Sequence, residues 1–324
     1  MPKKLKMYSY CTLFDRNYLT RGLAMYESLK KHSANFHLYI FAFDDQSFSL
    51  LKKLNLESIT VISLIEFEDE ELLKVKSDRT AAEYCWTSTS SIIKYAIETY
   101  KLDSCTYLDA DLYFFSDPSV LIEEMGEKSV LITEHRYTKR YDQSAKSGIY
   151  CVQFMTFKNN PDGMKVLNWW RNACIDWCYA RHEDGKFGDQ KYLDDWTERF
   201  KGIVHVLENR GGGVAPWNIQ QYDLSDKNCK LIFYHFHYFI LMENNQVELG
   251  IYKLKEHDIQ ILYVPYIKHL KKITERLVNL GENDFNGIAR KKPFSWKTPL
   301  KLIKRKIEGA YNVYDIKELL TEFD

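Results

Sequence analysis

Residues 105–115 read CTYLDADLYFF and place two carboxylates, Asp109 and Asp111, between two apolar runs. Both runs are short and β-prone, so the acidic pair is predicted to lie at the carboxyl end of a strand. Ligands bind at that edge in open α/β sheets. Carboxylates one residue apart can point to the same side of an extended chain, where they repel each other unless a cation intervenes. The stretch therefore predicts an oxygen-ligand site for Mg²⁺ or Mn²⁺ on a diphosphate. The alternative is a solvated turn.

The sequence on both sides of this stretch alternates between strand and helix patterns. Such alternation predicts an α/β fold with a mixed, mostly parallel sheet flanked by helices. No internal repeat or low-complexity linker interrupts the pattern. The predicted strands are residues 8–13, 36–43, 59–65, 105–108, 112–115, 129–133, 149–157, 203–207 and 230–236, and the predicted helices include residues 49–54, 87–100 and 161–179.

The composition of the chain bears on its binding partners and on its location in the cell. Lys plus Arg and Asp plus Glu number 45 each, so the overall charge gives no argument for binding nucleic acid. Seven cysteines without a CxxC pair are typical of reduced thiols and indicate a cytoplasmic protein. Cys174, Cys178 and His182 recur at helical spacing, which fits either a shared metal or a buried helix face. No apolar stretch is long enough to span a membrane and no signal-peptide pattern is visible, so we expect a soluble or peripheral protein.

The tail has a basic, amphipathic pattern. Eight basic and no acidic residues lie between Arg290 and Lys306. A helix starting at Thr298-Pro299 would carry Leu300, Ile303 and Ile307 on one side, preceded by Phe294 and Trp296. The pattern fits a peripheral anchor on an anionic membrane surface, or a solvated helix whose apolar side packs on the preceding domain.

The segment YLDADLY, residues 107–113, resembles the DxD signature of nucleotide-diphospho-sugar glycosyltransferases with the GT-A fold, which is Rossmann-like. The segment LFDRNY, residues 13–18, resembles the first nucleotide-binding loop of the family-8 retaining enzymes. That resemblance implies that Tyr18 stacks on uracil while Asp15 and Asn17 contact the base. Without it, the three are ordinary loop residues after a strand.

Two further segments extend the resemblance. Residues 187–193, FGDQKYL, resemble the family's D-Q helix start, which implies that Asp189 binds sugar hydroxyls and that Gln190 lies close to the anomeric carbon. From the residues alone, Asp189 is an N-cap or first-turn residue. Gly148-Ile149 is similar to the family's N-x-G-V strand, but the expected Asn is missing beside Ser147. After the glycines of residues 211–213, Trp217 either stacks on a sugar or is a hydrophobic plug.

The late segment LIFYHFH, residues 231–237, resembles the strand whose histidine is the third metal ligand in family-8 enzymes. Alternation puts His235 and His237 on one strand face, with His235 favoured as ligand. The Gly expected soon afterwards and the Lys-Pro-Trp of the family are missing. The resemblance therefore leaves Lys94 as the candidate diphosphate-binding base, with Arg79 as a reserve.

Together these resemblances imply a metal-dependent hexosyltransferase that uses a UDP-sugar and transfers to a glycan or lipid-linked acceptor, in bacterial surface-glycan or glycoconjugate synthesis. Retention of configuration is weakly favoured; inversion would require a general base near the acceptor, with Asp189, Asp194 and Asp195 as the candidates. The expected domains are a catalytic unit of residues 1–265, with a nucleotide side at 1–135 and an acceptor side at 136–265, and a basic helical appendage at 266–324. An inactive nucleotide- or membrane-binding relative and a haloacid-dehalogenase-like phosphatase are the alternatives. The expected location is the cytoplasm or the inner face of the cytoplasmic membrane.

Overall fold

The computed structural model describes residues 6–226, 230–283, 285, 287–289 and 298–323 of the chain. The strands in these residues are β1 (Tyr8–Phe14), β2 (Phe36–Ala42), β3 (Ile59–Ser63), β4 (Ser104–Leu108), β5 (Leu112–Phe114), β6 (Val130–Glu134), β7 (Tyr150–Lys158), β8 (Val204–Val206), β9 (Phe233–His235), β10 (Ile240–Met242), β11 (Gln246–Glu248) and β12 (Val313–Asp315). The helices are α1 (Leu19–His32), α2 (Asp45–Leu54), α3 (Leu64–Phe67), α4 (Glu70–Lys76), α5 (Ala81–Tyr100), α6 (Ser119–Glu124), α7 (Ser144–Ser147), α8 (Pro161–Asp176), α9 (Trp196–Arg199), α10 (Glu256–Asp258), α11 (Val264–Asn279), α12 (Thr298–Ile307) and α13 (Ile316–Glu322).

The central sheet has seven strands in the order β3-β2-β1-β4-β7-β6-β8. Neighbouring strands are parallel except where β7 pairs with β4 and β6. The predicted mixed, mostly parallel sheet is therefore confirmed. Two smaller sheets pair β5 with β9 and join β10, β11 and β12.

Side-chain alternation along β1 divides the interior between the two faces of the sheet. Tyr10 and Phe14 belong to a core that includes residues of α1 and α11. Cys11 and Leu13 belong to a second core that includes residues of α5 and α8. Because both faces are covered by helices, the strands are apolar on both sides, as the continuous run at 36–42 shows.

The C-terminal segment is attached to the first of these cores. Helix α11 buries Leu270 and Ile273 there and packs against α1, and β12 pairs with β11. The predicted domain boundary between residues 265 and 266 falls in the first turn of α11. Phe294, Trp296 and the basic residues from Arg290 to Lys297 lie outside the described residues. None of the described helices combines the length and apolar composition needed to cross a membrane.

Candidate metal centre and cavity

The acidic pair lies in the turn between β4 and β5, at the carboxyl end of β4 as predicted. The backbone N–H of Asp109 donates to the backbone carbonyl of Gln153 on β7 at 3.0 Å. The backbone N–H of Leu112 donates to the carbonyl of Asp109 at 3.2 Å, which closes the turn. Strand β5 then pairs with β9 so that Leu112 lies opposite His235. This pairing brings together groups that are more than 120 residues apart in sequence.

His235 completes a cluster with the two carboxylates. Its Nε2 lies 3.2 Å from Asp111 Oδ1 and 3.8 Å from Asp109 Oδ2. Its Nδ1 donates to Gln153 Oε1 at 2.8 Å, because an amide oxygen can only accept. The Gln153 contact therefore fixes the ring with Nε2 towards the acids. The Tyr107 hydroxyl donates to the other oxygen of Asp109 at 2.9 Å.

The charges of the cluster are strongly coupled. Burial raises the pKa of Asp109 to about 6, with a further contribution from Asp111 and opposition from His235. Burial also acts on Asp111, but the charge of His235 and its hydrogen bond lower that pKa to about 2. Burial acts to lower the pKa of His235, whereas attraction by Asp111 raises it well above its usual value. The imidazole and the two carboxylates thus favour one another's charged forms, although burial outweighs this effect at Asp109.

The donor set fits a divalent cation. One oxygen of each aspartate and one ring nitrogen of His235 lie within 4.8 Å of one another. Carboxylate oxygens with a single imidazole suit Mn²⁺ or Mg²⁺ better than softer metals. His237 is not part of this group; its ring centre lies 5.6 Å from that of His235. Burial lowers its pKa to about 4, with His235 adding to the effect.

A cavity of about 910 Å³ opens at this cluster. Its lining includes Asp15, Asn17 and Tyr18, which follow β1. The carboxylate of Asp15 accepts from the backbone N–H of Asn17 at 3.0 Å and of Tyr18 at 3.3 Å, so it holds the loop in a tight turn. Tyr18 is 44% exposed, and the guanidinium of Arg21 lies 4.6 Å from its ring centre. The structure thus brings the predicted base-binding residues to the same cavity as the acidic pair.

Asp189 and Gln190 line the cavity too. Asp189 is buried, and burial raises its pKa to about 7, with the charge of Asp109 contributing. The Gln190 amide donates to the Ser147 carbonyl at 2.6 Å, which ties it to α7. Trp217 is 3% exposed and donates its indole N–H to the His135 carbonyl at 2.8 Å, so its ring is mostly buried although it forms part of the cavity wall.

Lys94 is not where the resemblance implied. It lies on the face of α5 that packs on α8, where its ammonium donates to Asn168 Oδ1 at 2.7 Å, and it does not line the cavity. Arg79 is also elsewhere, with its guanidinium 3.8 Å from the ring centre of Tyr179. The buried cation beside the site is Arg21, whose charge helps to lower the pKa of Asp111. Among the described residues, Arg140 is the only Lys or Arg in the cavity wall.

Other cavity residues were missed in the sequence. Trp86 and Cys85 on α5 lie in the wall, as do His135 and Tyr137 after β6. Gln153, which contacts His235 rather than lining the cavity, had a usable signal, because its amide interrupts the mostly apolar buried stretch CVQFMTF. Cys174 and Cys178 are free and buried, and His182 stacks on Phe187. In the part of the chain that the structure describes, no second group of three potential metal ligands is found.

No protein-family model matches the sequence. The chain is 33% identical over 302 residues to the uncharacterized protein YfnD of Bacillus subtilis (strain 168), which covers 89% of this chain and 96% of YfnD. The chain belongs to the YfnD family. The uncharacterized protein YfnF of the same organism is 28% identical over 299 residues, covering 87% of this chain and 98% of YfnF.

Among solved structures, this YfnD-family chain is similar to the apo form of the glycosyltransferase GlyE of Streptococcus pneumoniae TIGR4, with a TM-score of 0.51 and 12% identity. The match covers 85% of this chain but only 64% of the GlyE chain. The fold is the GT-A fold, as predicted. The phosphatase alternative requires the Asp-x-Asp motif on the first strand, whereas here it follows β4.

Proposed function

We propose that the chain is a metal-dependent glycosyltransferase that transfers a sugar from a UDP-sugar to an acceptor hydroxyl. The observation that carries this proposal is the cluster of Asp109, Asp111 and His235 at the carboxyl end of β4, inside a cavity large enough for a nucleotide sugar. The resemblance of the DxD segment, and the likeness in fold to a glycosyltransferase, support it.

In this proposal Asp109, Asp111 and His235 hold Mn²⁺ or Mg²⁺. Such an ion neutralises charge on the departing nucleoside diphosphate. Tyr18 stacks on the base, with Asn17 and the Asp15 turn beside it. Asp189 and Gln190 position the transferred sugar, and most of the catalytic effect comes from positioning and electrostatics.

The stereochemistry follows from which side chains can reach the acceptor. We favour retention, because the Gln190 amide cannot act as a general base. Inversion requires a carboxylate within hydrogen-bond reach of the acceptor hydroxyl. Asp194 does not supply one, since its two oxygens accept from the Ile149 N–H at 2.7 Å and the Lys191 ammonium at 2.6 Å. Asp195 does not line the cavity, and its carboxylate accepts from the Arg199 guanidinium at 2.9 Å. Among Asp189, Asp194 and Asp195, only Asp189 lines the cavity, so an inverting reaction would depend on it.

The cellular role proposed for the enzyme is synthesis of a bacterial surface glycan or glycoconjugate at the cytoplasmic face of the membrane. Its acceptor would then be a glycan or a lipid-linked precursor. The charge balance of the chain and the composition of the cavity wall give no support to a nucleic-acid substrate.

The first prediction tests the metal site. Asp111→Ala should abolish transfer and Mn²⁺-dependent UDP binding, because it removes one of the three ligands. Release of UDP from a panel of UDP-sugars gives turnover, and calorimetry with UDP and Mn²⁺ gives affinity. Asp78→Asn, an exposed acid that does not line the cavity, is the control and should behave as wild type.

Three outcomes separate the hypotheses. Unchanged Mn²⁺-dependent UDP affinity in Asp111→Ala would show that the metal assignment is wrong. UDP binding by the wild type without turnover of any donor would identify an inactive nucleotide-binding relative. Loss of both activities with an unchanged unfolding midpoint supports the proposal, since the fold is then intact.

A further inference from the structure

Part of the cavity wall has no role in binding the donor as proposed. Beyond the metal cluster its wall is built mainly of rings, from Tyr137, Tyr141, Trp217, Tyr238 and Tyr252. Cys151, Ala215 and Trp217 form a small buried cluster of their own. Tyr137, Tyr141 and Tyr252 pack against it. We call these five aromatic residues the aromatic wall.

The aromatic wall is continuous with the metal cluster. The Trp217 ring centre lies 5.3 Å from that of His235 and 6.0 Å from that of Tyr137. The ring centre of Tyr238 lies 4.4 Å from that of His237 and 6.5 Å from that of Tyr252, which gives a second continuous row of rings. A molecule lying along these rings therefore has one end beside the reacting centre.

The wall is held in place by hydrogen bonds and a ring contact. Asn312, which is 3% exposed, donates to the carbonyls of Gly250 at 3.1 Å and Tyr252 at 2.7 Å. The hydroxyl of Tyr141 accepts from the backbone N–H of Lys253 at 2.8 Å, and the rings of Tyr141 and Tyr252 meet edge to face at 5.0 Å. Such bracing fixes the loop that carries Tyr252 before any ligand arrives, which reduces the entropy cost of binding.

The wall also offers hydroxyl groups. Within the described residues, nothing hydrogen-bonds to the hydroxyl of Tyr137 or Tyr252, although both rings line the cavity. Burial raises the pKa of both side chains above the usual value for tyrosine, so they stay neutral and can donate. Each residue therefore combines an apolar face with a polar tip.

We infer that the aromatic wall is the acceptor subsite and that the acceptor is a saccharide. A sugar ring has an apolar face of C–H groups, which packs on an aromatic ring, and an edge of hydroxyls, which pairs with tyrosine hydroxyls. A long acyl chain would use the rings but leave the hydroxyls of Tyr137 and Tyr252 without partners. The inference rests on the proposed function, because it assigns the second substrate of the same reaction.

The experiment measures saccharide binding separately from nucleotide binding. Saturation-transfer NMR of wild-type protein with lactose, maltose, cellobiose and their methyl glycosides should show binding of at least one of them. Tyr252→Ala should weaken that binding at least about ten-fold, because it removes the ring, while Tyr252→Phe should have a smaller effect. Tyr8→Ala, at the opposite end of β1 and outside the cavity, is the control.

The readouts distinguish this inference from the proposed function. UDP affinity in the presence of Mn²⁺ should be unchanged in Tyr252→Ala, whose unfolding midpoint is compared with the wild type. An equal loss of UDP and saccharide affinity would assign the wall to the donor and overturn the inference. So would failure of the wild type to bind any saccharide of the panel. Absence of Mn²⁺-dependent UDP binding in the wild type instead contradicts the proposed function.

Discussion

At the scale of the residue, Gln153 decides what His235 can do. Its amide oxygen accepts a hydrogen bond from Nδ1–H, so the lone pair of Nε2 is available on the side of Asp109 and Asp111 whenever the ring is neutral. The amide nitrogen of Gln153 is buried without a partner among the described residues. A polar side chain that is only partly satisfied in a strand core costs stability, and its contact with His235 gives a functional reason for its presence.

Substitutions at these two positions should separate ligand from positioning residue. His235→Ala should weaken Mn²⁺ binding more than it lowers stability, because it removes a ligand. Gln153→Leu should keep the ligand but release its orientation, and we expect Mn²⁺ affinity to fall about ten-fold to 100-fold. Both effects are measured by titrating Mn²⁺ in the presence of UDP.

The control for these variants is Gln46→Leu, since Gln46 is exposed and does not line the metal cavity. Urea unfolding of each variant gives its stability. If Gln153→Leu changed the unfolding midpoint but left Mn²⁺ affinity at the wild-type value, Gln153 would be structural only. An experimental structure with the ion coordinated by neither imidazole would end the assignment of His235.

At the scale of the element, the loop between β1 and α1 is a preformed platform. Asp15 caps the short turn of Arg16–Tyr18. The guanidinium of Arg21, in the first turn of α1, packs on the ring of Tyr18 and donates to the Asn17 carbonyl at 3.1 Å. The 44% exposed ring has a surface left for a nucleobase. Stacking is sequence-tolerant and depends on the ring rather than the hydroxyl.

Tyr18→Ala should therefore raise the donor KM about ten-fold or more, since stacking contributes roughly 1–3 kcal/mol per base. Tyr18→Phe should stay near the wild-type value. Steady-state kinetics with a UDP-sugar at saturating Mn²⁺ checks both. A donor KM that is unchanged in Tyr18→Ala would make Tyr18 an ordinary loop residue.

Elements also show why the sequence predicted some features and not others. The position of Asp109 could be predicted because the information is local: two acids interrupt an apolar run. Helix α5 was predicted from residue 87 but begins at Ala81, after a capping box of Thr80 and Glu83. The segment AAEYCW lacks a clean apolar period, because Cys85 and Trp86 line the cavity as well as packing against the second core. The T-x-x-E signature was the better signal.

Longer-range contacts were harder to predict. The run at 230–236 predicts a late strand, whereas β9 spans only three residues and pairs with β5 in a separate two-stranded sheet. Its histidine could be placed only by resemblance, because strand partners are not encoded locally. The placement of Lys94 beside the diphosphate has a related explanation. Helical periodicity indicates that Lys94 lies on α5, but it does not indicate that this side of the helix packs on α8.

At the scale of the whole molecule, helix α12 exposes apolar and basic side chains together on one surface. On α12 the side chains of Leu300, Ile303 and Ile307 are 62%, 55% and 81% exposed, with Lys304 and Lys306 exposed beside them. The opposite side of α12 is fastened to the domain by Arg305, which pairs with Glu248 at 2.7 Å. Because Leu300, Ile303 and Ile307 are exposed, the apolar side of α12 does not pack on the described part of the preceding domain.

This arrangement predicts an anchor on an anionic lipid surface. Arg305 also donates to the carbonyl of Gly250 at 3.1 Å, two residues before Tyr252. The carboxylate of Glu308 lies 3.7 Å from the guanidinium of Arg140, which lines the cavity. A membrane held by α12 would thus lie close to the aromatic wall. Each basic residue near such a surface contributes about 1 kcal/mol, and buried apolar side chains add to it.

Point substitutions test the anchor better than truncation does, because a deletion from Arg290 onward removes β12 and the buried Leu319. Wild-type protein should co-sediment with vesicles of phosphatidylglycerol and phosphatidylcholine, but not with phosphatidylcholine alone. Ile303→Glu combined with Ile307→Glu should reduce the bound fraction at least about ten-fold, since both side chains would otherwise enter the interface. Leu73→Glu, at a leucine of α4 that is 51% exposed, is the matched control and should bind as wild type. Equal recovery of wild type and the double variant in the supernatant would show that α12 is a solvated helix and would favour a soluble acceptor.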